Sequence, residues 1–496
     1  MAGEGSEIER ADLVIRGSTI VDGTGAARAP GDIAVSGDRI VAVGDLARVR
    51  GGREIGAKGL VAAPGFIDVH THDDHVLLSK ADMTPKVSQG VTTVVVGNCG
   101  VSLAPLRVEG RPPPPLDLVA GDGEWRYETF GAYLDALDRD PSAPNAACLV
   151  GHSTLRAGVM DSLNRPAGAG EIRSMRASLE GALESGAIGF STGLAYRIAS
   201  AAPTTEVIEI ARALTAHRAL YVTHMRNESD QVLDSLEETF SIGREVKAPV
   251  VISHHKVAGR SNFGRSRETL PAIERARARQ PVGFDVYPYP ASSTVLSPDM
   301  IEKAERVLVA WSKARPDVAG RDLAEVASEM GVSPVEAAER LQPAGGIYFA
   351  MDEADVRRII AFPGAMIGSD GLPNDSHPHP RLWGTFPRVL GHYARELGLL
   401  TLEEAVSRMT GLPARRFGLK DRGVIRPGGF ADLVLFDPET ILDRATFAQP
   451  QQPAAGIMLV LVNGQAVWRD GAHTGARPGR ALRRQHLDRP MATPGA

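Results

Sequence analysis

Two hydrophobic rhythms divide the chain. Near its start, "ADLVIRGSTIVD", "DIAVSGDRIVAVG" and "REIGAKGLVAAPG" set alternating or β-branched apolar residues between glycine and aspartate turns, which predicts short strands over residues 10 to 62. The same texture returns in "ADLVLFDPETI" and "GIMLVLVNGQAVWRDG", so both ends are expected to build one small β domain. Between them, helical periodicity alternates with short apolar runs, as in "EIRSMRASLEGALESGAIGFSTG", "EVIEIARALTAHRALYVTHMRNES", "DSLEETFSIGREVKAPVVISHHK" and "LPAIERARARQPVGFDVYPY". Repeated βα units predict a parallel sheet. No glycine-rich nucleotide loop opens any of those helices, which favours a (β/α)8 TIM-like barrel over a dinucleotide-binding open sheet.

The expected fold is therefore α/β. Residues 1–62 and 416–480 would form a small β-sandwich domain, and residues 63–415 the barrel. Residues 291–345 break the βα rhythm with helical patterns such as "MIEKAERVLVAWSKA" and "VSPVEAAERLQ", and would be an insertion forming a lid over the active site. The polar, proline-rich residues 481–496 would be a tail.

Composition narrows the function classes. Two cysteines, Cys99 and Cys148, cannot make a disulfide framework, and the first residues lack the basic start and apolar core of an export signal. A cytoplasmic location is expected. A formal charge of -5 gives no nucleic-acid footprint, and no apolar run is long enough to span a membrane. Arginine outnumbers lysine 47 to 8, with the arginines interleaved among acids along helical segments.

In a barrel the chemistry sits where strands end, at the C-terminal face. The apolar runs here do end on ionisable residues. "GFIDVHTH" closes with His70 and His72, whose spacing of two puts both on one side of a strand. "VVVGNC" closes with Cys99, "ALYVTH" with His224, "VVISHHK" with His254 and Lys256, "GFDVY" with Tyr287 and "AMIGSD" with Asp370. Each residue alone reads as a structural group, as His75, His152, His217, His392, His473, His486 and Cys148 do. Together, imidazole, thiolate and carboxylate converging on one rim are a ligand set for zinc, with a position left for water. Zinc lowers the pKa of water toward about 7, which points to hydrolysis.

"GFIDVHTH" after a β segment, histidines closing two later strands, an aspartate closing the last and "RGVIRPGGFADLVLFDPE" resemble the amidohydrolase superfamily over nearly the whole chain. More narrowly, "GNCG", "STGLAY", "THMRNE", "SHHKVAG", "FDVYPYPASSTVL" and "IGSDG" resemble the N-acyl-D-amino-acid deacylases, or D-aminoacylases. Many binuclear members of the superfamily bridge their metals with a carboxylated lysine on the fourth strand, and "GAIGFSTG" has none. The resemblance puts the thiolate of Cys99 in that place. It implies a tight Zn2+ held by Cys99, His224 and His254, and a second site, weaker or empty, at His70 and His72. It makes Asp370 the general acid/base, with His72 helping to polarise the scissile carbonyl. It makes Lys256, Tyr196, Tyr287 and Ser293 the group that holds the substrate carboxylate, with Arg381 a further anchor. Tyr348 and Met351, in the segment "GIYFAMDEADV", would line an apolar side-chain pocket suited to D-Met or D-Leu.

The expected reaction is hydrolysis of N-acyl-D-amino acids to a carboxylate and a free D-amino acid, by a monomer or small homo-oligomer with no nucleic-acid or membrane partner. Two alternatives stand beside it: a cyclic amidase or dipeptidase of the same superfamily, and a metal-free amidohydrolase-like scaffold protein. The missing lysine weighs against a cyclic amidase, and the surviving ligand set against a scaffold.

Overall fold

A computed structural model describes residues 9–484. Eight parallel strands form the barrel: Phe66–Asp68, Val91–Val96, Asn145–Gly151, Gly189–Gly193, Leu220–His224, Val250–Ile252, Val282–Val286 and Ala365–Ile367. Neighbouring strands pair in sequence order from the first to the eighth. Between the eighth and the first the closure is lighter. The parallel bridge Thr71 to Gly371 spans the seam, and the Asp370 amide donates to His70 O at 2.8 Å. Beneath it the Asp68 carboxylate accepts from the Ser369 amide at 2.8 Å and from the buried ammonium of Lys86 at 2.8 Å.

The βα periodicity becomes real helices for the expected reason. In Ala169–Ser185 the buried residues are Met175, Leu179, Ala182 and Leu183, a stripe at three- and four-residue spacing. Gly186 ends that helix at φ +115°, where a side chain would be strained. Val232–Val246 shows the same stripe, with Val232, Leu236, Phe240, Gly243 and Val246 buried. These faces pack on the outer faces of the strands. The inward faces meet in a separate core that includes Ile67, Val95, Leu149, Val222, Val251 and Met366, and Phe417 and Leu419 belong to it.

The expected β domain from both chain ends is a nine-stranded sheet. Its two halves join where Val61–Pro64 runs antiparallel to Leu433–Phe436. The segment expected as a helical insertion differs in kind. It carries an antiparallel sheet in which Ala344–Phe349 lies between Ala291–Val295 and Arg306–Ser312. "MIEKAERVLVAWSKA" is thus helical only over its first residues, in Pro298–Ile301, and then becomes a strand. Val307 and Val309 are β-branched and buried against the partner strand, where branched side chains pack well. "VSPVEAAERLQ" is helical as expected, over Pro334–Arg340, with Ser333 as its cap. Of the segment 481–496, residues 485–496 lie outside the described residues. The stretch before them is docked: the Leu482 amide donates to Ala146 O at 2.7 Å, beside the third barrel strand.

Candidate metal centre and substrate pocket

The C-terminal ends of the strands bring the polar residues together. Cys99 Sγ, just past the second strand, lies 3.2 Å from His70 Nε2 of the first and 3.3 Å from His254 Nε2 of the sixth. His72 Nε2 is 3.2 Å from Asp370 Oδ1, and His70 Nε2 is 3.5 Å from the same oxygen. One ligand atom each from His70, Cys99, His254 and Asp370 fall within 4.8 Å of one another, as do those from His224, Glu228 and His254. His224 and His254 stack edge to face at 4.5 Å between ring centroids, which joins the two groups.

Backbone geometry at the strand ends is unusual. Cys99, His254 and Asp370 have φ of +53°, +36° and +51°, in the left-handed region that side-chain-bearing residues rarely adopt. Each such residue costs on the order of 1–3 kcal/mol and persists only where its surroundings over-determine it. The surroundings here do so. The amides of His254 and Asp370 donate to Asp285 Oδ1 at 2.9 Å and to His70 O at 2.8 Å. The loop carrying Cys99 lies directly on the fourth strand, and a Cβ added at Gly193 would stand 2.1 Å from Cys99 O. At Gly193 the strand therefore has no room for any side chain, because the cysteine loop occupies that space.

Buried charge does the rest. Burial opposes ionisation of Cys99, yet His70 and His254, with hydrogen bonds from His224 and His254, hold its thiol well below the usual range. Burial likewise opposes charge on His70, and Cys99, Asp285 and Asp370 outweigh it. Asp370 is held well below the usual carboxylate range, against burial, by Arg381, His254 and His70. His72 is raised, against burial, to about 9 by Asp370 and Cys99.

Two residues that matter here are not marked in the sequence. Asp285, on the inward face of "GFDVY", lies 3.4 Å from His70 Nδ1 and so leaves Nε2 to face Cys99. Its place two residues before Tyr287 was the available signal. Glu228, four residues after His224, accepts from Lys256 Nζ at 2.8 and 2.9 Å and lies 3.0 Å from His254 Nδ1. Nothing in a loop glutamate announces that position. Both fit the usual arrangement in which a ligating imidazole gives its other nitrogen to a carboxylate.

The residues expected around the substrate divide into two groups. Lys256 Nζ and the Arg381 guanidinium lie over the ring of Tyr287, at 5.7 and 4.6 Å. Tyr196 packs against His224 at 5.0 Å between centroids. Met351 Sδ is 3.9 Å from the Tyr287 hydroxyl, in an apolar cluster with Tyr289. Ser293 Oγ lies 3.5 Å from Asp375. The Arg381 guanidinium is also 2.8 Å from Asp370 Oδ2 and donates to Ser293 O at 3.0 Å, so it ties the acid to the inserted sheet. Tyr348 is not brought to the cluster. Its ring belongs to the core of the insertion, and its hydroxyl donates to Val295 O and accepts from the Ser297 amide. His255 turns away from the site, to Thr269 on the helix Ser266–Arg277, although the strand has already ended at Ile252.

A thiolate and several imidazoles facing one another in a buried site, with the Nδ1 atoms of His72 and His224 lacking a hydrogen-bond partner, is the donor set of a soft-to-borderline divalent metal. On a (β/α)8 barrel this defines a metal-site hydrolase architecture. The amidohydrolase family model matches residues 53–468. D-aminoacylase from Alcaligenes xylosoxydans xylosoxydans is 57% identical over 479 residues, 97% of this chain and 99% of its own. A D-aminoacylase structure whose binuclear centre shows one-metal activation and second-metal attenuation superposes with a TM-score of 0.94 at 56% identity, covering 96% of this chain and all of that one. N-acyl-D-glutamate deacylase from Bordetella bronchiseptica, complexed with zinc and a phosphonate mimic of the tetrahedral intermediate, superposes at 0.93 with 47% identity and the same coverage. The chain belongs to the amidohydrolase family, and within it to the group of D-aminoacylases and N-acyl-D-amino-acid deacylases.

Proposed function

We propose that this chain is a zinc-dependent N-acyl-D-amino-acid deacylase, releasing a carboxylate and a free D-amino acid from substrates with hydrophobic side chains. The observation that carries the reading is Cys99 Sγ within 3.3 Å of the Nε2 atoms of two histidines from different strands. Cys99, His224 and His254 would hold the tight zinc, and His70 and His72 a second, weaker site. When bound, the metal lowers the pKa of a water and polarises the amide carbonyl.

The chain's own residues supply the rest. Asp370, kept ionised and fixed through Oδ2 by Arg381, takes a proton from the attacking water at Oδ1 and returns it to the departing nitrogen. His72, beside Oδ1, donates toward the developing oxyanion. Lys256, with Tyr196, Tyr287 and Ser293, holds the substrate carboxylate, and Glu228 keeps the ammonium aimed. Met351 against Tyr287 and Tyr289 offers an apolar surface to the side chain. The cytoplasm suits the protein, since Cys99 and Cys148 are both free thiols. Among the described residues no helix is long and apolar enough to cross a membrane.

Racemic N-acetyl-methionine tests the reaction. The D enantiomer should disappear with stoichiometric D-methionine, and consumption of the L form instead would sink the proposal. Comparison of kcat/KM for N-acetyl-D-Met and N-acetyl-D-Glu tests the side-chain preference, which an acidic preference would overturn.

A further inference from the structure

The barrel has a second chamber, at the opposite ends of its strands. Ile188, Leu220, Pro249 and Pro281 stand at the starts of the fourth to seventh strands, and around them opens a cavity of about 610 Å³. That volume lies within the range of pockets that take small organic ligands, on the order of 300–1,000 Å³. Its apolar body includes Leu220, Phe417 and Leu419.

Its polar lining has one sign. Among the described residues eight arginines and lysines line it and no aspartate or glutamate does. Several are engaged already: Arg422 pairs with Asp432, Arg480 with Asp38, and Arg483 with Asp135 and Asp138. Lys247, Arg416, Lys420 and Arg484 have no acidic partner among the described residues. Burial, with the like charges of Arg277 and Arg415, lowers the Arg416 guanidinium to about 10. Clustered like charges around a cavity raise the local concentration of counter-ions and destabilise the empty state.

From this geometry we infer that the chamber at the N-terminal ends of the barrel strands binds an organic polyanion of nucleotide size, its anionic groups on Lys247, Arg416, Lys420 and Arg484 and its body against Phe417 and Leu419. The site is separate from the metal centre, which lies at the other ends of the same strands, and it stands whether or not the proposed substrate is correct. At this face of a barrel a ligand acts on stability rather than on chemistry.

Pyrene tetrasulfonate, a flat polyanion with little affinity for zinc, is a suitable probe on the full-length, zinc-loaded protein. Fluorescence titration should give saturable one-to-one binding that weakens with added salt, and the probe should raise the thermal midpoint. ADP should displace it, while N-acetyl-D-methionine and inorganic sulfate should not. The double variant R416Q/K420S should weaken binding about tenfold with kcat/KM for deacylation unchanged. The single variant K420S, at an exposed position, gives a smaller loss in the same direction and guards against misfolding of the double variant. Absence of binding to the full chain, displacement by the deacylase substrate or by sulfate, or equal affinity in both variants would overturn the inference.

Discussion

Glu228 offers the sharpest test of how the site is held together. Its carboxylate joins the ammonium expected to bind substrate to an imidazole expected to bind metal, through contacts of 2.8 and 2.9 Å to Lys256 and 3.0 Å to His254 Nδ1. Burial works against its charge, yet Lys256, His224 and His254 hold its pKa well below the usual range. Glu228→Gln preserves shape and removes the charge. Hydrogen bonds to charged partners contribute roughly 1.5–3 kcal/mol each, and the amide keeps one acceptor, so a net loss of about 2–3 kcal/mol is expected. That is a fall in kcat/KM of roughly 30- to 150-fold. Zinc affinity, measured against a competing chelator, should fall about 10- to 100-fold, as it does when a carboxylate behind a ligating histidine is lost. Steady-state kinetics at saturating zinc separate the two effects, since the Lys256 part remains as a raised KM. Unchanged zinc affinity together with kcat/KM within about threefold of wild type would refute the bridging role.

Asp370→Asn should keep zinc bound and lose about 10²- to 10⁴-fold in kcat, the range for removing a general acid/base; metal analysis and turnover on one sample check both halves. Lys256→Ala should raise KM for N-acetyl-D-methionine by roughly tenfold or more while changing kcat less, from loss of a charge-assisted contact. Gly193→Ala would put a methyl 2.1 Å from Cys99 O, so overpacking should destabilise the fold by about 1–3 kcal/mol and lower metal content; a melting curve and metal content equal to wild type would contradict the close approach. Away from the site, buried Glu206 pairs with Arg156 and His152, and despite burial these partners and the Ala167 amide lower its pKa to about 2. The unfolded chain then binds that proton at higher pH than the folded one, so the stabilisation is present above about 4.5 and fades as pH falls toward 2. Melting of wild type and Glu206→Gln should differ at pH 7 and converge in acid.

What the sequence shows about this protein follows from what has a period. The barrel was legible because buried strands and amphipathic helices repeat, and His70, His72, Cys99, His224, His254 and Asp370 stood out because each ends an apolar run. Arg306–Ser312 was misjudged because "ERVLVAWS" adjoins a helical stretch, and only pairing with Ala344–Phe349 decides its conformation. Tyr348 was assigned by position in a segment, whereas the direction of a side chain in the inserted sheet depends on register. There it pairs opposite Ser292 and Val307, and its hydroxyl turns to backbone. Glu228 and Asp285 act through other residues, so their roles emerge only once distant strands are side by side. The cationic chamber was illegible for the same reason, its charges coming from four separate segments of an arginine-rich chain.

The central claim is that a thiolate holds the metal where relatives in the superfamily use a modified lysine. X-ray absorption at the zinc edge of the protein loaded with one equivalent of zinc measures this directly. The account predicts one sulfur neighbour at about 2.3 Å beside nitrogen or oxygen at about 2.0 Å, with the sulfur shell lost in Cys99→Ala. A first shell of nitrogen and oxygen alone in the wild-type protein would contradict it.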